Sequence, residues 1–285
     1  YDWNSVQIIS LFSIFAVMFL AFLIIETKVK EPIITFALFK NRLFASSQVL
    51  AFIYGATFIP LTVYIPIFVQ AVFGGSATNA GLILTPMMLG SVVGSAMAGI
   101  LQTKTSFRNI MYISVVAFAT GMFLLSTMTP ETGRILVSFF MILSGFGVGF
   151  SFSLLPTSSI HKLDFKQRGT ANSTNAFFRS LGMTVGITIF GSIQSSVLAD
   201  KLKATFQNGA LMNTEFSSFQ DLSGLLESSV RASIPPELLN TIVQSLSTSI
   251  TSVFRIAFFI IICAVIFIFL MGNEKVVIPK KEKEL

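Results

Sequence analysis

Residues 43–103 read LFASSQVLAFIYGATFIPLTVYIPIFVQAVFGGSATNAGLILTPMMLGSVVGSAMAGILQT, without one Asp, Glu, Lys, Arg or His. A helix that crosses a bilayer needs about 20 predominantly apolar residues, so this run is too long for one span. It breaks at Gly74-Gly75-Ser76-Ala77-Thr78-Asn79, a cluster of turn formers. Inside lipid every backbone N–H and C=O must be paired within the segment, which selects helices. The run therefore holds two membrane helices, about 44–72 and 80–101.

The same reading extends in both directions. Upstream, Val6 to Ile25 is uncharged and long enough to span. Downstream, further helices are expected at about 109–127, 135–156, 170–198 and 250–272. The fold class is thus an all-α membrane protein with seven transmembrane helices. Composition agrees: 53% of the 285 residues are hydrophobic and only 11% are charged, against about 25% charged in soluble domains. That excludes an ordinary soluble enzyme, and the hydrophobicity excludes disorder. Cys263 is the single cysteine, so no internal disulfide forms. The chain starts at Tyr1, almost directly before an apolar run, and is expected to begin inside a larger protein.

Segment 200–249 breaks the pattern. Asp200, Glu215, Asp221, Glu227 and Glu237 alternate with Phe216, Phe219, Leu222, Leu225 and Leu226 at helical spacing. It reads as two or three short amphipathic helices lying at the membrane surface or packed as a hairpin, with a polar loop as the alternative. The division is then a first helix and connector over 1–43, a six-helix bundle over 44–272 containing segment 200–249, and a basic tail over 273–285.

Charge sets the orientation. Thirteen of the 19 basic residues fall on one side: Lys28, Lys30, Lys40, Arg42, Lys104, Arg108, Lys162, Lys166, Arg168, Lys275, Lys280, Lys281 and Lys283. Arg134, Lys201, Lys203 and Arg231 fall on the other. Basic loops stay cytoplasmic, which places Tyr1 outside, the C-terminus inside and 200–249 outside. The net charge of +6 is therefore a membrane-topology signal and no sign of a nucleic-acid partner.

Within the spans a few residues stand out. Gly90, Gly94 and Ala98 recur every four residues, a flat stripe for close helix packing. Gly145, Gly147 and Gly149 lie within five residues and precede Pro156, although glycine costs about 1 kcal/mol in a helix interior. They mark a closely packed or deformable segment, with Phe146 between them; no strand precedes them, so they are no dinucleotide loop. Arg179 lies about ten residues into its span, ~15 Å deep. A charge there must face protein or water, either at a functional site or as a structural arginine bonding carbonyls of a neighbouring helix, and Asn172 and Asn175 share much of its face. Arg255 lies nearer a helix end and is expected to snorkel. Pro60 and Pro66 should bend the second helix and free carbonyls. Around them Tyr54, Thr57, Phe58, Thr62, Tyr64 and Gln70, with Met87 and Met88, form a candidate adaptable pocket, although packing serves each residue equally well. All 13 acidic residues lie outside the spans, and His161 reads as a solvated loop residue. Neither a metal cluster nor a nucleophile motif is present in the sequence, so neither a cofactor nor an enzyme activity is expected.

Glu31-Pro32-Ile33-Ile34 followed by Leu38-Phe39-Lys40-Asn41-Arg42-Leu43-Phe44 resembles the linker before the second half of fourteen-helix drug:proton antiporters, the EmrB/QacA type of the major facilitator superfamily. Gln70 with Gly74, Ala80-Gly81-Leu82 and Pro86 is similar to that family's tenth-helix entry. Gly145, Gly147, Gly149 and Pro156 resemble its twelfth helix; Gly169, Asn175, Arg179, Gly182 and Gly186 resemble its thirteenth. The turn Gly99 to Arg108 looks like a degraded copy of the family's Gly-x-Leu-x-Asp-Arg-x-Gly-Arg loop, with Thr103 at the acid and Ser106 at the glycine. The resemblance implies the C-terminal half of a multidrug exporter in a bacterial cell membrane, working by alternating access. Its partners would be small-molecule drugs, protons, the bilayer and a missing N-terminal half that carries the proton-binding carboxylates. A seven-helix receptor is the alternative. It is disfavoured because the last helix has no lysine for a Schiff base, the outer loops lack a cysteine pair, and the long loop lies between the last two helices.

Overall fold

The computed structural model describes residues 5–28, 36–207 and 235–276. Among these every regular element is helical. The first is α1 (Val6–Lys28), followed by a short 3-10 turn at Phe36–Lys40. Next come α2 (Arg42–Ile67), extended by a π turn Phe68–Val72, α3 (Ala77–Leu82) and α4 (Leu84–Leu101). α5 (Phe107–Ser126), α6 (Arg134–Ser159), α7 (Phe165–Gln207) and α8 (Pro236–Leu270) complete the order. Six segments are long and apolar enough to cross a membrane, and the described apolar stretch of α1, Val6–Ala21, is a shorter one.

Local chemistry sets several boundaries. Asn41 Oδ1 accepts from the backbone N–H of Leu43 and Phe44, capping α2. Ser76 and Ser106 cap α3 and α5 in the same way. Pro60 and Pro66 leave α2 continuous, and the departure from α geometry comes just beyond Pro66, as the π turn. The chain then leaves the helix at Gly74, whose φ of +64° suits glycine.

The expected end of the chain is redrawn. The helix anticipated at 170–198 runs from Phe165 to Gln207, and the one anticipated at 250–272 begins at Pro236. Residues 200–207 and 236–249, read as amphipathic surface helix, are thus continuations of membrane helices. The physical reason is that Ile242, Leu246 and Ile250 point into the bundle core, and Glu237 occupies the favourable first turn of α8. The rest of that expected segment, 208–234, lies outside the described residues.

In the bundle α4 packs on α6, α2 on α7, α5 on α6, and α8 on α5, α2 and α7. The core between them holds Leu50, Leu61, Ile65, Phe68, Phe118, Met122, Phe150, Val253 and Phe254, each at most 1% exposed. Three of these contacts are backbone-close, among them α5–α6, where a Cβ on Gly147 would strike the Phe118 backbone. A Cβ on Gly90 or Gly94 would strike the carbonyls of Ile142 and Phe146, and one on Gly145 or Gly149 those of Met87 and Ser91. The α2–α7 pair repeats the device: Gly55 faces the Arg179 carbonyl, Gly182 that of Phe52 and Gly186 that of Ala56. Such approach is how helices gain dispersion energy in lipid, where burial of apolar surface drives little. α1 differs, since its apolar side chains, including Leu11, Phe12, Phe15 and Met18, are exposed.

Candidate functional site

Arg179 sits on α7 where α7 and α6 flank α2. Its Nη2 donates to the Ser151 carbonyl of α6 at 3.2 Å, and its Cζ lies 4.5 Å from the centroid of the Phe152 ring. Pro156 has no N–H, so the Phe152 carbonyl lacks its i+4 donor and the helix is locally open to outside donors. Phe58 of α2 meets Phe152 edge-on at 5.5 Å. All three side chains are half-buried, and Arg179 Nε is buried without a hydrogen bond among the described residues. The result is a cation with an aromatic partner and unused donor capacity, on a wall otherwise built from apolar groups.

Below it lies a closed polar network. Asn175 Nδ2 donates to Gln48 Oε1 at 3.3 Å and to Ser159 Oγ at 3.2 Å, while Gln48 Nε2 donates to Ser159 Oγ at 3.1 Å. The Ser159 hydroxyl donates to the Leu155 carbonyl, and Ser47 bonds Ser158 at 2.7 Å. These five side chains are all buried. They join α2, α6 and α7, and each polar atom named is paired, as burial demands.

The sequence-selected residues separate into groups. Arg179 and Phe58 come together with Phe152. Asn175 turns inward to the network, whereas Asn172 is exposed. Tyr54 and Met87 lie inside the core at 1% and 2% exposure rather than on an open wall. Tyr54 stacks on Phe118, and its hydroxyl lies 2.8 Å from Ser114 Oγ. The Ser114 proton goes to the Gly147 carbonyl, so Tyr54 donates. Phe146 is half-buried against Phe150 at 5.0 Å, and Gln70 is half-buried in the π turn. Gly90, Gly94, Gly145, Gly149, Gly182 and Gly186 serve helix contacts, and Gly147 does so against Phe118 of α5. Sequence reasoning passed over Phe152, although it stands four residues before Pro156. It also passed over Gln48, one of four amides in the uncharged run 43–103, and nothing in the sequence sets it apart from Gln70, Asn79 and Gln102.

Comparison with known proteins identifies the family and the fold. A family model described as Major Facilitator Superfamily matches residues 1–187. Multidrug resistance protein 3 of Bacillus subtilis (strain 168) is 55% identical over 278 residues, 97% of this chain and 54% of its own length. Multidrug transporter protein MdtP of the same bacterium is 28% identical over 263 residues, 90% of this chain and 48% of its own length. The chain thus spans about half the length of these curated relatives. A crystal structure of a bacterial homolog to the human lysosomal transporter Spinster, inward-facing and unoccupied, superposes with a TM-score of 0.59 at 15% identity. It covers 85% of this chain and 50% of that one, and shows the shared fold. Six helices long and apolar enough to cross a membrane, a half-buried arginine on one of them and these matches converge: the chain belongs to the Major Facilitator Superfamily, a family of transporters and not of enzymes.

Proposed function

We propose that this chain is the C-terminal half of a fourteen-helix, proton-coupled multidrug exporter of the EmrB/QacA type, and that Arg179, Phe152 and Phe58 form part of its substrate wall. The observation that carries the reading is the half-buried guanidinium of α7 on an aromatic ring of α6, with donor capacity to spare. Such a surface suits amphipathic aromatic compounds, gripped by ring faces and held by a small number of polar contacts. The printed names of the relatives, a multidrug resistance protein and a multidrug transporter, support the substrate class. Alternating access would rock this bundle against a second one around a site near the bilayer midplane.

The exposed face of α7 supports a second bundle. Ser180, Thr184, Thr188 and Ser192 are exposed at four-residue spacing in a membrane-length helix. Small hydroxylated side chains admit another helix closely. In this reading 1–43 is the linking helix and connector, 44–272 the bundle and 273–285 a basic tail. The 13-to-4 division of basic residues puts Tyr1 outside and the C-terminus in the cytoplasm of a bacterial cell. Proton-accepting carboxylates then belong to the other half.

Drug-stimulated proton flux in proteoliposomes of the native protein tests the proposal. R179A should lower flux and efflux about tenfold or more, the scale of one lost charged contact, with purified yield retained. Full activity in R179A would remove Arg179 from the wall, and drug efflux without proton movement would remove the coupling.

A further inference from the structure

Immediately past α8 the chain turns back on itself. Met271 is buried, Gly272 takes a φ of +76°, and Glu274 then reaches two separate loops. Its backbone carbonyl accepts from the N–H of Phe107, the first residue of α5, at 3.0 Å. Its carboxylate lies 3.0 Å from Lys162 Nζ and 3.4 Å from His161 Nε2, both in the turn between α6 and α7. The His161 ring meets the buried Phe107 ring edge-on at 5.2 Å. Three segments distant in sequence therefore converge on one imidazole. His161 is not the solvated residue its loop position suggests, since its side chain is only 9% exposed. Val276 packs half-buried against the core beyond it. His161 Nε2 and Glu274 Oε2 are both buried, and neither makes a well-aligned hydrogen bond among the described residues.

We propose that His161 is a proton-binding site on the basic face of the bundle, and that its protonation parts this junction and frees Glu274 and Val276. The sign follows from which force dominates. Burial holds the His161 pKa below its ordinary value; Glu274 pulls it up by less, and Lys162 pushes it down with burial. The closed junction thus prefers neutral imidazole, and the parted, solvated one takes up the proton more readily. Closure is favoured most above the ordinary histidine value near pH 6.5 and weakens as pH falls from there through the lower pKa of the closed junction. The charges facing the ring are Lys162 from the turn and Glu274 from the tail. Arg108, Asp164 and Lys275 flank them in sequence. The inference needs the cytoplasmic assignment only to say which compartment's pH is sensed.

Single cysteines at Val276 and, as an exposed control, Asn273 test this in the native protein with its other cysteines replaced by serine. Labelling by a water-soluble maleimide is measured in open membrane fragments, and the V276C rate is divided by the N273C rate at each pH. The ratio should rise several-fold as pH falls through the histidine range. H161F, which keeps the ring contact, and H161Q, which keeps polarity, should both abolish the rise. E274Q should raise the ratio at neutral pH. A ratio independent of pH, a rise that survives both His161 variants, or an unchanged ratio in E274Q would each overturn the proposal.

Discussion

Ser159 shows how much one small side chain carries in this bundle. Its hydroxyl oxygen accepts from both Gln48 and Asn175, amides on two different helices, and donates back to its own helix. S159A would strip Gln48 Nε2 of its bond to Ser159 and leave Asn175 Nδ2 only its bond to Gln48, at about 1–3 kcal/mol for a buried donor left unpaired. The expected outcome is a clearly lower thermal midpoint in detergent. Y54F removes one buried hydrogen bond but leaves Ser114 bonded to the Gly147 carbonyl. Its cost should be smaller, near 1 kcal/mol, and comparing the two melting curves checks the ranking. Legibility in sequence was uneven here. Arg179 announced itself because charge is expensive in lipid. Phe152 did not, because one phenylalanine among 31 carries no mark until an arginine is found over its ring.

At the scale of elements, some glycines meet the backbone of a neighbouring helix and others meet nothing. Gly90, Gly94, Gly182 and Gly186 sit where an added Cβ would meet a neighbouring carbonyl, whereas nothing lies within 4 Å of the position at Gly99. G182A and G94A should therefore destabilise by roughly 1–3 kcal/mol through overpacking. G99A, in the same helix as Gly94, should be neutral or stabilise by up to about 1 kcal/mol through helix propensity. Thermal melts of the three variants, with yield as a second measure, decide the matter. A G94A protein as stable as wild type would mean that α4 and α6 separate at low cost. Element boundaries were less legible than element existence. The polar residues between 200 and 249 disguised the ends of two long helices, because a helix can carry polar residues on one face while Ile242 and Leu246 on another still pack into the core.

Over the whole molecule, surfaces of two kinds are exposed. α8 shows Ile262, Ile266 and Phe269, which suit acyl chains, while α7 shows hydroxyl groups at four-residue spacing. If the second bundle covers α7, T184W should strongly reduce transport by blocking close approach, whereas I266W, on a lipid-suited face, should be tolerated. Equal transport by both variants in membrane vesicles would mean that α7 faces lipid too. The two pairs α2–α7 and α4–α6 use the same glycine contact, so the bundle carries the same joint twice.

Fold class, the number of apolar runs and the uneven distribution of basic residues were determined by the sequence alone. Lipid imposes helices wherever some 20 apolar residues follow one another, and charge then decides the sides. Which small residues meet which carbonyls, and which polar side chains close a network, was decided only by tertiary structure. Tyr54 looked like a wall residue and is core, His161 looked solvated and is enclosed, and Asn172 and Asn175 part company on one helix. Helical periodicity fixes the angle between two side chains on one rod. It says nothing of which neighbouring rod lies there, and that neighbour settles whether a given face is wall, core or lipid surface.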